Sequence, residues 1–180
     1  MNFHIRSATK SDAASIQSIA VKTWNHTHVK NIGQEQVDYM LSRIYSVECL
    51  QKQMDDGEKF LLIFISLPRN VKPAKIKNER PVGYISYTKK HEANKNDEKY
   101  FIEKLYIDPD YHSQGLGKAL LDESISQIKD LGGNVIELHV NEHNEKAILF
   151  YEKYGFKNIK LDHYPFEKYI IHDYLMEMEL

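Results

Sequence analysis

Leu105-Tyr106-Ile107-Asp108-Pro109-Asp110-Tyr111-His112-Ser113-Gln114-Gly115-Leu116-Gly117-Lys118-Ala119-Leu120-Leu121 decides how this chain is read. An apolar strand stops at Asp-Pro. A short loop then delivers Gly115 and Gly117, one residue apart, to the head of an amphipathic helix. Glycine lacks a Cβ, so the backbone there can turn tightly and approach a ligand closely. The first amides of a helix have no partner within it, and with the helix dipole they form an anion site. The segment is suited to hold a phosphate or pyrophosphate.

The spacing lacks the third glycine of a dinucleotide fingerprint, and no acidic residue ends a second strand about 20 residues on. The GxxxxGK[ST] of a nucleotide P-loop is also missing. Taken alone, such a loop is equally an ordinary strand-to-helix turn. A second block narrows the choice: Asn144-Glu145-Lys146-Ala147-Ile148-Leu149-Phe150-Tyr151-Glu152-Lys153-Tyr154-Gly155-Phe156. Together the two blocks resemble the GNAT family of acetyl-coenzyme A-dependent N-acetyltransferases. The first is similar to that family's Q/R-x-x-G-x-G/A loop, the second to its N-x-x-A-x-x-F-Y-x-x-x-G-F helix. The resemblance covers residues 80–160 well and the rest loosely. His112 departs from it, standing where the family has Gln or Arg.

Working outward, a chain of 180 residues fits one domain, 1–180, with a sizeable core. A net charge of −2 gives no basic footprint for a nucleic-acid partner. Cys49 is the one cysteine, so an intramolecular disulfide is impossible and a reducing compartment is favoured. Its helical surroundings read as packing. Residues 1–10 hold no apolar secretory core, and no window approaches 18 apolar residues. The expectation is a cytoplasmic protein with no membrane partner; a homodimer stays open.

The pattern predicts a strand over 2–7, then a helix capped at Ser11-Asp12 and ending near Trp24-Asn25. A second helix is expected over 34–45, with a short one capped by Ser46 and stopped at Asp55-Asp56-Gly57. Phe60–Ile65 reads as a strand, and 67–81, with three prolines and five Lys/Arg, as a loop. Strands 82–89 and 100–107 should form a hairpin around a polar turn at 91–98. A helix over 117–131 follows, its apolar stripe marked by Leu121, Ile125 and Ile128 with Leu131 close by. A strand over 135–140, a helix over 145–154 and strands at 156–163 and 168–179 complete the chain. This order predicts an α/β fold: a mixed, mostly antiparallel sheet flanked by helices, with one parallel pair where 105–107 connects through a helix to 135–140. The GNAT resemblance implies that this pair splays, letting the pantetheine arm of acetyl-CoA enter like an extra strand.

The chemistry needs little: a neutral amine, a donor for the oxyanion, and a proton for the departing thiolate. The resemblance makes Tyr151 the proton donor, and a phenol near its reference pKa of about 10 is protonated at neutral pH. Packing in the core is the alternative role for such an aromatic. Glu103 is the candidate base, because alternation puts it on one face with Leu105 and Ile107. Binding a cationic substrate or simply meeting solvent are its other readings. The resemblance implies cofactor contacts from the backbone of Leu105, Tyr106 and Ile107 and from the amides of His112, Ser113, Gln114, Gly115, Leu116, Gly117 and Lys118. Asn144 matches a cofactor-contacting asparagine, and Lys153 could reach the ribose phosphate. Lys118 opposes the helix dipole, which makes sense beside a bound anion.

Thr23–Lys30 falls where the family builds one wall of the acceptor pocket, so Trp24, Asn25 and His28 are substrate candidates. His26 and His28 have no further ligands at metal-binding spacing, so no metal is expected. The segments T-W-N-x-T, I-E-K-L-Y-I and D-Y-L-M further resemble bacterial PaiA-type polyamine acetyltransferases. They imply an amine acceptor of small-molecule type, such as a polyamine, with acetyl-CoA as cosubstrate. The rival is a catalytically silent GNAT domain that binds acyl-CoA or a protein partner.

Overall fold

The computed structural model describes residues 2–66, 79–90 and 98–180. The strands are β1 (Phe3–Ser7), β2 (Lys59–Ser66), β3 (Glu79–Lys89), β4 (Lys99–Ile107), β5 (Val135–Asn141), β6 (Lys157–Phe166) and β7 (Tyr169–Glu179). The helices are α1 (Ala13–Thr27), α2 (Val29–Ile44), α3 (Val47–Asp55), α4 (Leu116–Asp130) and α5 (Glu145–Tyr154). Hydrogen-bonded neighbours follow the order β1-β2-β3-β4-β5-β7-β6, which is the mixed sheet expected. Two compact units are distinguishable, Met1–Ser86 with Lys104–Ser124, and Tyr87–Glu103 with Ile125–Leu180.

In the first unit β1 pairs antiparallel with β2, Phe3 opposite Ile65 through Ser7 opposite Leu61. β2 is buried from Phe60 to Ile65, which explains its unbroken apolar run where a half-exposed strand would alternate. Ile16, Ile19 and Ala20 of α1, Val37 and Leu41 of α2, and Leu50 of α3 supply the apolar helix stripes of this core. The turn into α1 is held by Arg6, whose guanidinium donates to both Asp12 carboxylate oxygens at 2.8 Å, while Thr9 N–H donates to Asp12 Oδ2 at 2.9 Å. The Arg6 hydrogen bonds, opposed by burial, hold the Asp12 carboxyl down to about 2.

In the second unit β4 runs parallel to β5, from Lys99 opposite Val135 to Ile102 opposite Leu138. β4 continues to Ile107 and β5 to Asn141, beyond the last residues they pair with each other. β5 pairs antiparallel with β7 along its length, and β6 pairs with β7 with an irregularity between Asn158 and Lys160. Ile125, Ile128, Ile136, Leu138, Phe156 and Met176 form this core. α5 is capped by Asn144, whose side chain accepts from Ala147 N–H, and ends at Gly155 with φ 121°. Glu137 is buried in β5, with Lys90 and Lys99 (3.0 Å) against its two carboxylate oxygens. Burial alone would raise its pKa, but the two lysine hydrogen bonds outweigh it and leave it lowered.

Three expectations change. The segment Thr23–Lys30 is not a loop: α1 runs to Thr27 and α2 begins at Val29. No proline or glycine interrupts it until Gly33, whose φ of 78° and ψ of 161° break α2 instead. Leu131 lies outside the buried stripe of α4, at 57% exposure, because the helix ends one residue earlier. Strand β3 starts at Glu79, so the expected loop 67–81 loses its last three residues to the sheet. The rest of that loop, 67–78, and most of the expected hairpin turn, 91–97, lie outside the described residues. The hairpin itself is marked by Lys90 N–H donating to Lys99 O at 2.9 Å.

Candidate functional site

The glycine loop belongs to the first unit. After β4, a short 3-10 turn spans Pro109–Tyr111, and Asp108 caps it by accepting from Asp110 N–H at 3.0 Å. Ser113 (φ 61°) and Gly115 (φ 78°) then adopt left-handed backbone and turn the chain into α4. At Gly115 a Cβ would meet nothing within 4 Å, so its requirement is conformational. In the sequence Ser113 stands out only as part of the loop; a non-glycine residue at positive φ is uncommon and concentrates at functional turns. Ala119 N–H closes the first turn of α4 onto Gly115 O at 3.0 Å. The first amides of a helix have no partner within it, which is what an anion site requires.

His112 turns its ring back, placing Nε2 at 2.9 Å from Ile107 O, an atom Thr23 Oγ1 also approaches at 3.4 Å. Its side chain therefore clamps the loop to the strand end. Lys118 has a local partner in Asp122, one helical turn on, at 2.8 and 3.0 Å, which offsets its position at the helix start. Gly83 of β3 belongs to no motif in the sequence. A Cβ there would collide with the Ile107 side chain and lie 2.9 Å from Tyr106 O, so its absence lets β3 lie close to the end of β4.

Trp24 is buried, its ring 4.6 Å from His28 and 5.6 Å from Tyr45. Asn25 is exposed, donating to Val21 O at 2.8 Å and accepting from Gln34 at 2.9 Å. Tyr45 and Tyr106 hydroxyls lie 3.2 Å apart. Burial, with Tyr106 and Tyr84 adding to it, pushes the Tyr45 phenol well above its usual value.

In the second unit Glu103 is exposed, and its Oε1 accepts from the Thr88 hydroxyl at 2.7 Å. The buried face of β4 is the other one, Tyr100, Ile102 and Lys104. From Tyr100 to Ile107 each face carries one charge among apolar residues, so alternation does not tell them apart. Lys104, in the first unit, is tolerated inside because Glu58 meets it at 2.6 Å. Around Glu103's face the His139 ring stacks on Tyr164 at 5.4 Å and meets Phe101 edge-on at 5.2 Å. Tyr164 donates to Asp173 Oδ2 at 2.8 Å, and His139 Nε2 lies 3.5 Å from Asp162. Burial, then Asp173, Asp162 and Glu103, push the Tyr164 phenol far up, so it stays protonated. Tyr151 is buried in α5, 5.2 Å from the Phe150 ring and 5.6 Å from Phe156. Asn144 spends its side-chain oxygen on the helix cap, and Lys153 is exposed. Among the described residues no cluster of three His, Cys, Asp or Glu is placed to hold a metal ion, and no helix is long and apolar enough to cross a membrane.

The profile of the acetyltransferase (GNAT) family matches residues 35–156, and the chain belongs to that family. An uncharacterized N-acetyltransferase of Methanocaldococcus jannaschii is 33% identical over 81 residues, 44% of this chain and 36% of that protein. The peptidyl-lysine N-acetyltransferase YjaB of Escherichia coli is 37% identical over 82 residues, 44% of this chain and 46% of YjaB. The chain thus spans less than half the length of these relatives. Among solved structures, the PaiA N-acetyltransferase of Thermoplasma acidophilum in complex with coenzyme A superposes with a TM-score of 0.77 at 23% identity, covering 100% of both chains. YncA of Salmonella typhimurium with its cofactor acetyl-CoA gives 0.63 at 19% identity, covering 98% of this chain and 93% of YncA. At such identities the likeness is one of fold.

Proposed function

We propose that this protein is an N-acetyltransferase that moves the acetyl group of acetyl-CoA to a primary amine of a small molecule. The observation that carries the reading is the left-handed turn at Ser113 and Gly115, which opens α4 soon after a strand that runs on past its pairing with β5. Those residues fit the cosubstrate: the first amides of a helix match a pyrophosphate, and a strand that runs on past its pairing with β5 to Leu105 and Tyr106 suits an extended pantetheine arm. Two relatives carry N-acetyltransferase names, and two similar folds hold coenzyme A or acetyl-CoA.

Acetyl-CoA supplies an activated thioester carbon. A C–N bond forms to the neutral amine as the C–S bond breaks. Glu103 takes the proton that the nitrogen loses, and Tyr151 gives its phenolic proton to the sulfur. Exchange with solvent resets both residues. Asn144 and Lys153 are assigned to cofactor contact, and Trp24, Asn25 and His28 to the acceptor.

A polyamine is the finer reading of the acceptor. The T-W-N-x-T, I-E-K-L-Y-I and D-Y-L-M segments support it. So does the face around Tyr164, where Glu103, Asp162 and Asp173 accompany aromatic rings, since an alkylammonium is attracted by both. A thiol-release assay with acetyl-CoA and a panel of amines tests the proposal: spermidine and spermine should be acetylated ahead of amino acids, aminoglycosides and peptide N-termini. Coenzyme A binding without release for any amine would mean a silent binding module.

A further inference from the structure

We propose that Asp108 is a positioning residue for the cofactor loop, fixing the turn that presents the α4 amides; this rests on the reading of that loop as the coenzyme A site. Asp108 is 3% exposed, immediately between β4 and the loop. Its carboxylate is met from two other elements: Lys22 of α1 lies 2.6 Å from Oδ1, and Arg80 of β3 lies 3.4 Å from Oδ2. Oδ1 also accepts from Asp110 N–H at 3.0 Å, and Asp108 N–H donates to Val82 O at 2.7 Å. Lys22 reaches on to Asp110 at 2.5 Å, and its neighbour Thr23 touches Ile107 O. One buried carboxylate therefore ties α1, β3 and the start of the loop together.

The asymmetry of exposure gives the tie its meaning. Lys22 and Arg80 are 40% and 51% exposed and can hydrate without Asp108. Asp108 cannot leave the interior, and a buried carboxylate is kept only where its partners repay its desolvation. Three donors, from α1, β3 and the loop itself, converge on this one side chain. An anion site built from main-chain amides works only while those amides stay aimed, and a misplacement of about 1 Å can cost up to about 100-fold.

Asp108→Asn tests this. The amide is isosteric and can still accept from Asp110 N–H, but it carries no charge for Lys22 and turns an NH2 toward Arg80. The expected result is a coenzyme A dissociation constant, by calorimetry, and an acetyl-CoA KM both raised about tenfold. The kcat at saturation should stay within about twofold and the thermal midpoint within a few degrees. Lys22→Met should reproduce part of the KM effect, and the double variant should fall short of the product of the two. Loss of kcat with KM unchanged, or equal coenzyme A affinity in Asp108→Asn and the parent, overturns the inference while leaving the coenzyme A site standing. A parent that binds no coenzyme A overturns the loop reading and the inference together.

Discussion

Tyr151 and Glu103 differ at the level of single residues in how the fold holds them. Tyr151 sits in an aromatic cluster within α5, where packing fixes its ring and leaves the hydroxyl as its polar feature. Tyr151→Phe keeps the ring and removes the hydroxyl. It should lower kcat by about 10- to 1000-fold with little change in acetyl-CoA affinity. Equal turnover at saturating substrate would remove Tyr151 from the mechanism. Glu103 meets solvent and accepts from Thr88, so a water can reach its carboxylate. Glu103→Gln should depress kcat/KM through kcat. Should steady-state kinetics instead show a raised amine KM with kcat intact, Glu103 binds the cation and the base lies elsewhere.

At the scale of elements, two helix entries are built differently. α4 begins on left-handed backbone; α1 begins on a side-chain clamp, Arg6 to Asp12. The clamp makes a pH prediction. Asp12 ionises more readily folded than unfolded, so its contribution is present above its unfolded pKa, near 4, and is lost as the pH falls toward about 2. Arg6 is 40% exposed, which screens the pair. Asp12→Asn should therefore lower the melting midpoint at neutral pH by about 2–4 °C at most, and the gap should close on acidification. A gap that persists unchanged at pH 2 would assign it to the Thr9 hydrogen bond or to packing.

For the whole molecule, a ligand that binds the folded chain alone must raise its stability. Coenzyme A at 100 times its dissociation constant adds about 2.7 kcal/mol, which for a chain of this size raises the midpoint by about 5–10 °C. Differential scanning fluorimetry over a coenzyme A titration should show a rise that grows with the logarithm of concentration. A flat titration would contradict the coenzyme A reading wherever in the molecule the site lies.

The strand-to-helix glycine turn, the extent of α5 and the apolar run of β2 were legible in the sequence, because each is a local property: a φ requirement, a helix stopped by glycine, an unbroken apolar run. Family membership was legible for the same reason, through two short motifs. Tertiary structure decided the rest. It chose which face of β4 is buried, since Phe101-Ile102-Glu103-Lys104 offers one charge to each side and only Glu58, 46 residues away, accounts for a lysine inside. It carried α1 past the buried Trp24 to Thr27, with His28 N–H donating to Trp24 O at 2.9 Å to continue the helical ladder. Asp-Pro marked the end of a strand, but the partners of Asp108 stand on α1 and β3, and no spacing within one segment could announce them. Local backbone demands are written in neighbouring residues; the compensation of a buried charge is written wherever the fold brings its partner.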